Sequence, residues 1–437
     1  MIQDQFGFAQ YDFYLKTDSL LNYLYLNNRF CGSVFIAKGD EILYNKQFDS
    51  HADEINEYHI GSITKMFTAT IIYQLADEGK LSIADHLQKY FPQIPNAEDI
   101  SIEQMLGHQS GIHDIINDVQ FANYRTDTLS RTALIEKIAA QKPSFKPGKT
   151  TAYSNSNYIL LGFIIEDLLH QPYSEVINER ILLPLGMQHT RLETTETDPA
   201  KSIGCYKFNG EEWVLMEPET NPTITYAAGG MISTVSDLNI FMKALFNYQI
   251  ISSAWIDTMS KVSANGYGHG LFYTPFESHK GYGHTGHIDE FHSAAIYMQA
   301  DSISFIICLN GMNYKLNDIA LGIMSYYFNA PYTFPEINRI TLNSEQLNPY
   351  CGTYRLKLFH FIPIKKIKME SAHGVIYTAT ENNFEEEKTI AEPIGAGTFK
   401  NFTYNSTLQF SHKKNGAVKG CYLLQGKTKL YCRKLNS

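Results

Sequence analysis

Two polar residues, Ser62 and Lys65, lead straight into an apolar helix, and this junction constrains the fold more than any other stretch of the chain. Beyond it, Met66, Phe67, Thr70, Ile71 and Leu75 recur at three- and four-residue spacing, the pattern of a buried helix face. The helix is predicted to begin at or just before Ser62 and to run to about Glu78, with Gly79 as its stop. Lys65 then lies one turn beyond Ser62, on the same face.

Strand-like runs at residues 32–37 and 41–48, joined by a tight K-G-D turn, precede this helix. An earlier helix is predicted over 17–28, with Thr17 or Asp18 as cap and Leu20, Leu21, Leu24 and Leu26 as apolar positions. From about 82 to 262 the pattern is mostly helical with long loops, as at 102–106, 158–169 and 234–245. Strand runs at 290–298 and 302–309 and a helical run at 317–328 follow. Strands at both ends of a helical middle point to the α/β class: an antiparallel sheet flanked by helices, with a large helical insertion. Ser62 then falls between the sheet lobe (about 1–82 and 266–335) and the helical lobe (about 83–265), a common setting for a small-molecule cleft.

Residues 329–347 contain Pro331 and Pro335 and read as a linker, so the first domain is taken as 1–335. The remainder, 336–437, changes character. Strand-like runs at 398–410, 417–424 and 428–433, separated by N-G and Q-G-K turns, predict a small C-terminal all-β domain, a barrel or a sandwich.

The charge balance, 36 basic against 45 acidic residues for a net −9, comes with no basic block and argues against a nucleic-acid partner. No run approaches the roughly 18 apolar residues of a transmembrane helix; the longest candidate, 159–165, stops at Glu166. The opening M-I-Q-D-Q-F-G has no basic flank before an apolar segment, which leaves a cytosolic protein or one whose leader has been removed. The six cysteines are scattered. Only Cys421 and Cys432, placed to face each other across one hairpin, make a bridge conceivable.

Three short motifs carry the chemistry: S-I-T-K from Ser62 to Lys65, Y-S-N from Tyr153 to Asn155, and H-T-G at His284, Thr285 and Gly286. Singly they are weak, since S-x-x-K recurs at Ser411 and Y-x-N at Tyr25 without matching surroundings. Their surroundings strengthen them. F-C-G-S-V-F-I-A-K-G-D precedes the first motif, M-L-G-H-Q-S-G-I begins at Met105, and F-K-P-G-K-T-T-A leads into the second. A-A-G-G-M-I-S-T begins at Ala227. Over about residues 30 to 330 this resembles the serine β-lactamase and penicillin-binding-protein superfamily. It is most similar to the branch with class C β-lactamases, D,D-peptidases, D-aminopeptidases and related esterases. The tail, with N-P-Y-C-G-T-Y from Asn348, resembles more loosely the β domains appended to some members.

The resemblance implies a β-lactamase-like fold and a serine hydrolase that splits an amide or ester through an acyl-enzyme on Ser62, without metal or organic cofactor. Its substrate would be a small molecule or a peptide, D-residue peptides included. Exported or periplasmic location would follow if a leader was removed, and oligomeric state stays open. A serine hydroxyl needs a base beside it. Lys65 and Tyr153 are the candidates, with Asn155 holding Lys65 and the backbone N–H groups of Ser62 and His287 forming the oxyanion site. A lysine cation about 4 Å from Tyr153 in an effective dielectric near 20 is worth roughly 4 kcal/mol, about three pKa units, so Lys65 is expected to lower the phenol.

Where many relatives carry lysine, this chain has His284, close to neutral at pH 7, which predicts weak or absent β-lactamase activity. His287 and Glu290 replace small residues of many relatives, and Asp289 and Glu290 are candidates to attract an amine, against the plainer reading of a solvated turn. His108 and Ser110 are read as a structural turn, and Gly229 and Gly230 as permitting a tight backbone turn. A true β-lactamase or D,D-carboxypeptidase is the rival within enzymes, and a binding or assembly protein on the same fold is the rival outside them.

Overall fold

The structure, a computed structural model, describes residues 8–48, 56–194, 203–216, 220–358, 362–383 and 388–435. The first seven residues, which carried the reading of the N-terminus, lie outside them. The chain divides into two compact units. One is built from residues 1–14, 31–205 and 216–310, the other from 15–30, 206–215 and 311–437.

The strands in chain order are β1 (Phe30–Lys38), β2 (Glu41–Phe48), β3 (Tyr58–His59), β4 (Arg191–Leu192), β5 (Tyr206–Phe208), β6 (Trp213–Leu215), β7 (Met231–Ser233), β8 (Phe272–Tyr273), β9 (Tyr282–Ile288), β10 (Phe291–Met298) and β11 (Ile303–Met312). The main sheet runs β2-β1-β11-β10-β9-β8, so strands from both ends of the first unit meet as the sequence predicted. Its ladders from β2 through β1 and from β11 to β8 are antiparallel. Gly32 marks a close approach inside it: a Cβ there would stand 2.3 Å from the Cys308 carbonyl oxygen of β11.

The first five α-helices are α1 (Phe8–Leu26), α2 (Thr64–Asp77), α3 (Ile102–Leu106), α4 (Arg131–Ala139) and α5 (Asn155–Leu169). Almost every side chain of α2 is buried, not one face only, so this helix is the axis of the core. Phe67 stacks on Phe241 of helix Val235–Phe246 with ring centroids 3.8 Å apart. Helix α3 begins with a capping box between Ser101 and Gln104, which fixes the approach to the His108 turn. Among the described residues no helix is long and apolar enough to cross a membrane.

The second unit holds a closed eight-stranded barrel: β12 (Gly352–Leu358), β13 (Ile362–Ala372), β14 (Val375–Thr380), β15 (Thr389–Gly395), β16 (Thr398–Asn401), β17 (Ser406–His412), β18 (Val418–Gln425) and β19 (Thr428–Lys434). Closure through the β12–β19 pairing removes the sheet edges. The core is Tyr354, Phe399 and Phe410 with smaller apolar residues, and Phe208 of β5 packs with Val375 and Ile390. Buried Glu392 binds Arg29 through both guanidinium nitrogens (2.5 and 2.8 Å) and accepts a hydrogen bond from Asn313 at 2.9 Å.

Some expectations need correction. The first helix starts earlier than residue 17 and stops at Leu26. The run at 398–410 is two strands, because a turn after Asn401 reverses the chain. Cys421 and Cys432 do sit opposite each other in the β18–β19 register, but both are free thiols.

Candidate active site

Ser62 sits in a single 3-10 turn, Gly61–Ile63, between β3 and α2. Gly61 adopts φ +50, which a side chain would resist, and a Cβ there would lie 2.8 Å from the His287 nitrogen of β9. Glycine therefore lets the serine turn press against the β9 backbone. The turn is also tied down on other sides. Ser293 Oγ donates to the Ile60 carbonyl (2.9 Å), Thr64 Oγ1 donates to the Gly61 carbonyl (2.7 Å), and the Met231 N–H donates to Thr64 Oγ1 (3.2 Å). This contact places the serine turn against the His287 backbone of β9.

Lys65 has no exposed surface. Its Nζ donates to Ser62 Oγ (3.0 Å), to Asn155 Oδ1 (2.7 Å) and to the Ala228 carbonyl (2.5 Å). Tyr153 Oη donates to Ser62 Oγ at 2.7 Å. Lys65 Nζ also lies 4.9 Å from the Tyr153 ring centroid. The first and second motifs, ninety residues apart, thus converge on one oxygen.

The expected lowering of the Tyr153 phenol gives way to a rise, because burial dominates. Burial pushes the Lys65 ammonium down to about 7, with the Asp114 carboxylate opposing. Burial likewise pushes the Tyr153 phenol far up, and the Ser62 hydrogen bond only partly offsets it. Desolvation outweighs the attraction of Asp114 at Lys65 and the Ser62 hydrogen bond at Tyr153, so near neutral pH the pair tends toward amine and phenol, not ammonium and phenolate.

Tyr153 is held by its neighbours. His108, with φ +56, accepts the Ser154 N–H at Nδ1 (3.1 Å), and its ring lies 4.4 Å from that of Tyr153. Ser110 Oγ donates to Asn157 Oδ1 (2.6 Å), and the Ile112 N–H donates to Ser110 Oγ (3.1 Å). His108 and Ser110 therefore build a hydrogen-bonded turn beneath the tyrosine. Gly229 and Gly230 end helix Pro222–Gly229, close behind Tyr226 at φ +36.

In the third motif, His284 is buried and Thr285 is exposed on β9. His284 stacks on Phe272 at 4.1 Å, its Nδ1 lies 2.5 Å from the Thr285 carbonyl oxygen, and burial drives it down to about 3, a neutral ring at pH 7. Gly286 cannot be replaced: a Cβ would fall 1.9 Å from the Ile60 carbonyl oxygen. The His287 ring stacks on His292 at 4.3 Å, with Nε2 2.9 Å from the Asp289 carbonyl oxygen. Asp289 is already engaged, since its carboxylate accepts from Arg125 Nη1 (3.1 Å) and from the Thr220 N–H and Oγ1 (both 2.8 Å).

Sequence reasoning missed four participants. Asp114 accepts from Asn155 Nδ2 (3.0 Å), which turns the Asn155 oxygen toward Lys65. The Ala228 carbonyl is a backbone group that no side-chain motif announces. Tyr267 and Phe272 line the Tyr153 side, at 6.0 and 6.2 Å between ring centroids. The one available signal was for Asp114, which stands two residues beyond the M-L-G-H-Q-S-G-I segment.

Comparison with known proteins follows the same outline. The Beta-lactamase family model matches residues 26–321. PbpX of Bacillus subtilis, named as a penicillin-binding protein, is 30% identical over 257 residues, covering 56% of this chain and 63% of that protein. The chain thus spans less than two thirds of the length of the curated relatives it matches. A D-stereospecific amidohydrolase from Streptomyces sp. superposes with TM-score 0.63 at 26% identity, covering 72% of this chain and 98% of that one. The octameric penicillin-binding protein homologue from Pyrococcus abyssi superposes with TM-score 0.64 at 25% identity, over 95% of this chain and 99% of that one.

Proposed function

The chain belongs to the Beta-lactamase family, and on that premise we propose that it is a serine hydrolase acting on a small amide or ester through an acyl-enzyme on Ser62. The observation that carries the proposal is the convergence of Lys65 Nζ (3.0 Å) and Tyr153 Oη (2.7 Å) on Ser62 Oγ.

With its ammonium pushed down to about 7, Lys65 holds a substantial neutral fraction at physiological pH. A neutral amine has two N–H donors and one lone pair. Asn155 Oδ1 and the Ala228 carbonyl take the two donors, which leaves the lone pair for the Ser62 hydroxyl. Lys65 is then the base that takes the Ser62 proton as Oγ attacks the carbonyl carbon. Tyr153, kept as a phenol by burial, gives its proton to the departing nitrogen or oxygen and recovers one from Lys65. Over the step the Oγ–acyl bond forms, the bond to the leaving group breaks, the Tyr153 proton ends on the leaving group, and the Ser62 proton passes through Lys65 to restore the phenol. The N–H groups of Ser62 and His287 stabilise the oxyanion. A water then repeats the sequence on the acyl ester.

The D-stereospecific amidohydrolase among the similar structures supports an amide substrate, with D-residue peptides and short esters in the same class. The neutral His284 ring offers no fixed cation for a substrate carboxylate, which places β-lactams and D,D-carboxypeptidase substrates behind uncharged amides and esters. The test is steady-state turnover of a p-nitrophenyl ester and a D-amino acid amide by the wild type and by Ser62→Ala, with circular dichroism confirming that the variant is folded. Loss of turnover in Ser62→Ala supports the proposal. Equal turnover by the two proteins contradicts it.

A further inference from the structure

If Ser62 is the nucleophile, as proposed above, the position of Tyr153 locates the leaving group. Tyr153 hands its proton to the departing atom, so the rest of the leaving group must lie along the surface next to the phenol. That surface is aromatic. Phe272 is 6.2 Å from Tyr153 between ring centroids, Tyr267 is 6.0 Å away, and the two are 5.0 Å from each other. Both are half-buried, with part of each ring open. His284 lies beneath, stacked at 4.1 Å on Phe272.

The backbone holds this surface in place. Phe272 opens β8 and pairs with Gly283 of β9, one residue before His284. Between Tyr267 and Phe272, Gly270 turns at φ +77 against α2, where a Cβ would lie 2.7 Å from the Ala69 Cβ and 3.0 Å from the Lys65 carbonyl oxygen. The shelf is therefore mounted on the same helix that carries Lys65. The anion that bears on Tyr153 is Asp114.

We propose that Tyr267 and Phe272 form a leaving-group shelf that selects an uncharged aryl or apolar alkyl alcohol or amine and rejects one bearing a carboxylate. An aromatic leaving group stacks on these rings. A carboxylated one loses hydration, gains no charge from the neutral His284 ring beneath Phe272, and meets the negative charge of Asp114 that also bears on Tyr153. This separates the enzyme from hydrolases that release a free amino acid, whose leaving group carries a carboxylate at that position.

Three butyrate esters with leaving alcohols of similar basicity test the shelf: ethyl, benzyl and 4-carboxybenzyl. After correction for their hydroxide-catalysed rates, kcat/KM for benzyl is expected about tenfold above ethyl, and 4-carboxybenzyl about tenfold or more below benzyl. Phe272→Leu and Tyr267→Ala are each expected to shrink the benzyl-to-ethyl ratio severalfold; the leucine keeps the site filled, so folding is not at stake. Ser62→Ala is run in parallel. Turnover lost in Ser62→Ala with equal kcat/KM for benzyl and 4-carboxybenzyl in the wild type, or with ratios unmoved in both shelf variants, overturns the shelf alone. Equal turnover by Ser62→Ala and the wild type overturns the serine reading and the shelf with it.

Discussion

Tyr153 donates its phenolic hydrogen to Ser62 Oγ across 2.7 Å, and the shared oxygen also lies 3.0 Å from Lys65 Nζ. Burial governs both partners: it lowers the lysine to about 7 and raises the tyrosine. The proposed division of labour, with the amine as base and the phenol as acid, rests on these directions.

Tyr153→Phe removes the acid and keeps the ring against His108, Tyr267 and Phe272. We expect kcat to fall by roughly 10²–10⁴ with KM little changed, since proton transfer to the leaving group is lost and ground-state packing is kept. Steady-state kinetics with an amide substrate checks this. An ester with a good leaving group should suffer less.

The acid limb of kcat/KM should fall near pH 7, with activity rising as Lys65 loses its proton. Asp114 opposes that loss, so Asp114→Asn should move the limb to lower pH, and the Asn155 amide loses its carboxylate partner. A pH–rate profile of both proteins decides it; a limb that stays put or moves upward contradicts the role of Asp114.

Lys65→Met should stabilise the fold while abolishing turnover. The folded lysine titrates at about 7, well below its unfolded value of 10.5. Between those pH values the unfolded chain binds a proton that the folded one does not, so this group's contribution to stability rises with pH across the window. Below pH 7 the full burial penalty applies, on the order of several kcal/mol by pKa arithmetic. The melting-temperature gain of the variant should therefore be large at pH 6 and shrink steadily toward pH 10.

Glu392→Gln tests the second unit. It leaves Arg29, which is 1% exposed, without its bidentate carboxylate. Stability should fall by about 3–5 kcal/mol. Trp213 lies in this unit and Trp255 in the other, so a Trp255→Phe background lets urea-induced fluorescence follow the second unit alone.

Much of this was legible in the sequence, for reasons that can be traced to residues. The apolar spacing after Lys65 marked α2, and strand runs at both ends marked the sheet, because periodicity survives in a single sequence. Four barrel strands, β12 to β15, were missed: charged residues such as Lys365, Lys366 and Lys368 interrupt the alternation of β13, and closure of the barrel supplies what local propensity does not. In the site, Ser62, Lys65 and Tyr153 were named beforehand, but Tyr153 was expected to be lowered and burial raises it. Burial is a property of the folded core, and no count of nearby charges could have supplied it. The Ala228 carbonyl and the Asp114–Asn155 bond were invisible for a similar reason, since one is backbone and the other joins segments 41 residues apart.

The most direct test of the acyl-enzyme is covalent trapping. The protein would be mixed with a fluorophosphonate, its intact mass followed over time, and the modified residue mapped by peptide sequencing, with Ser62→Ala and Lys65→Ala alongside. The account predicts a single adduct on Ser62, absent from Ser62→Ala and formed much more slowly by Lys65→Ala. An adduct that persists in Ser62→Ala, or that maps to another serine in the wild type, would contradict it.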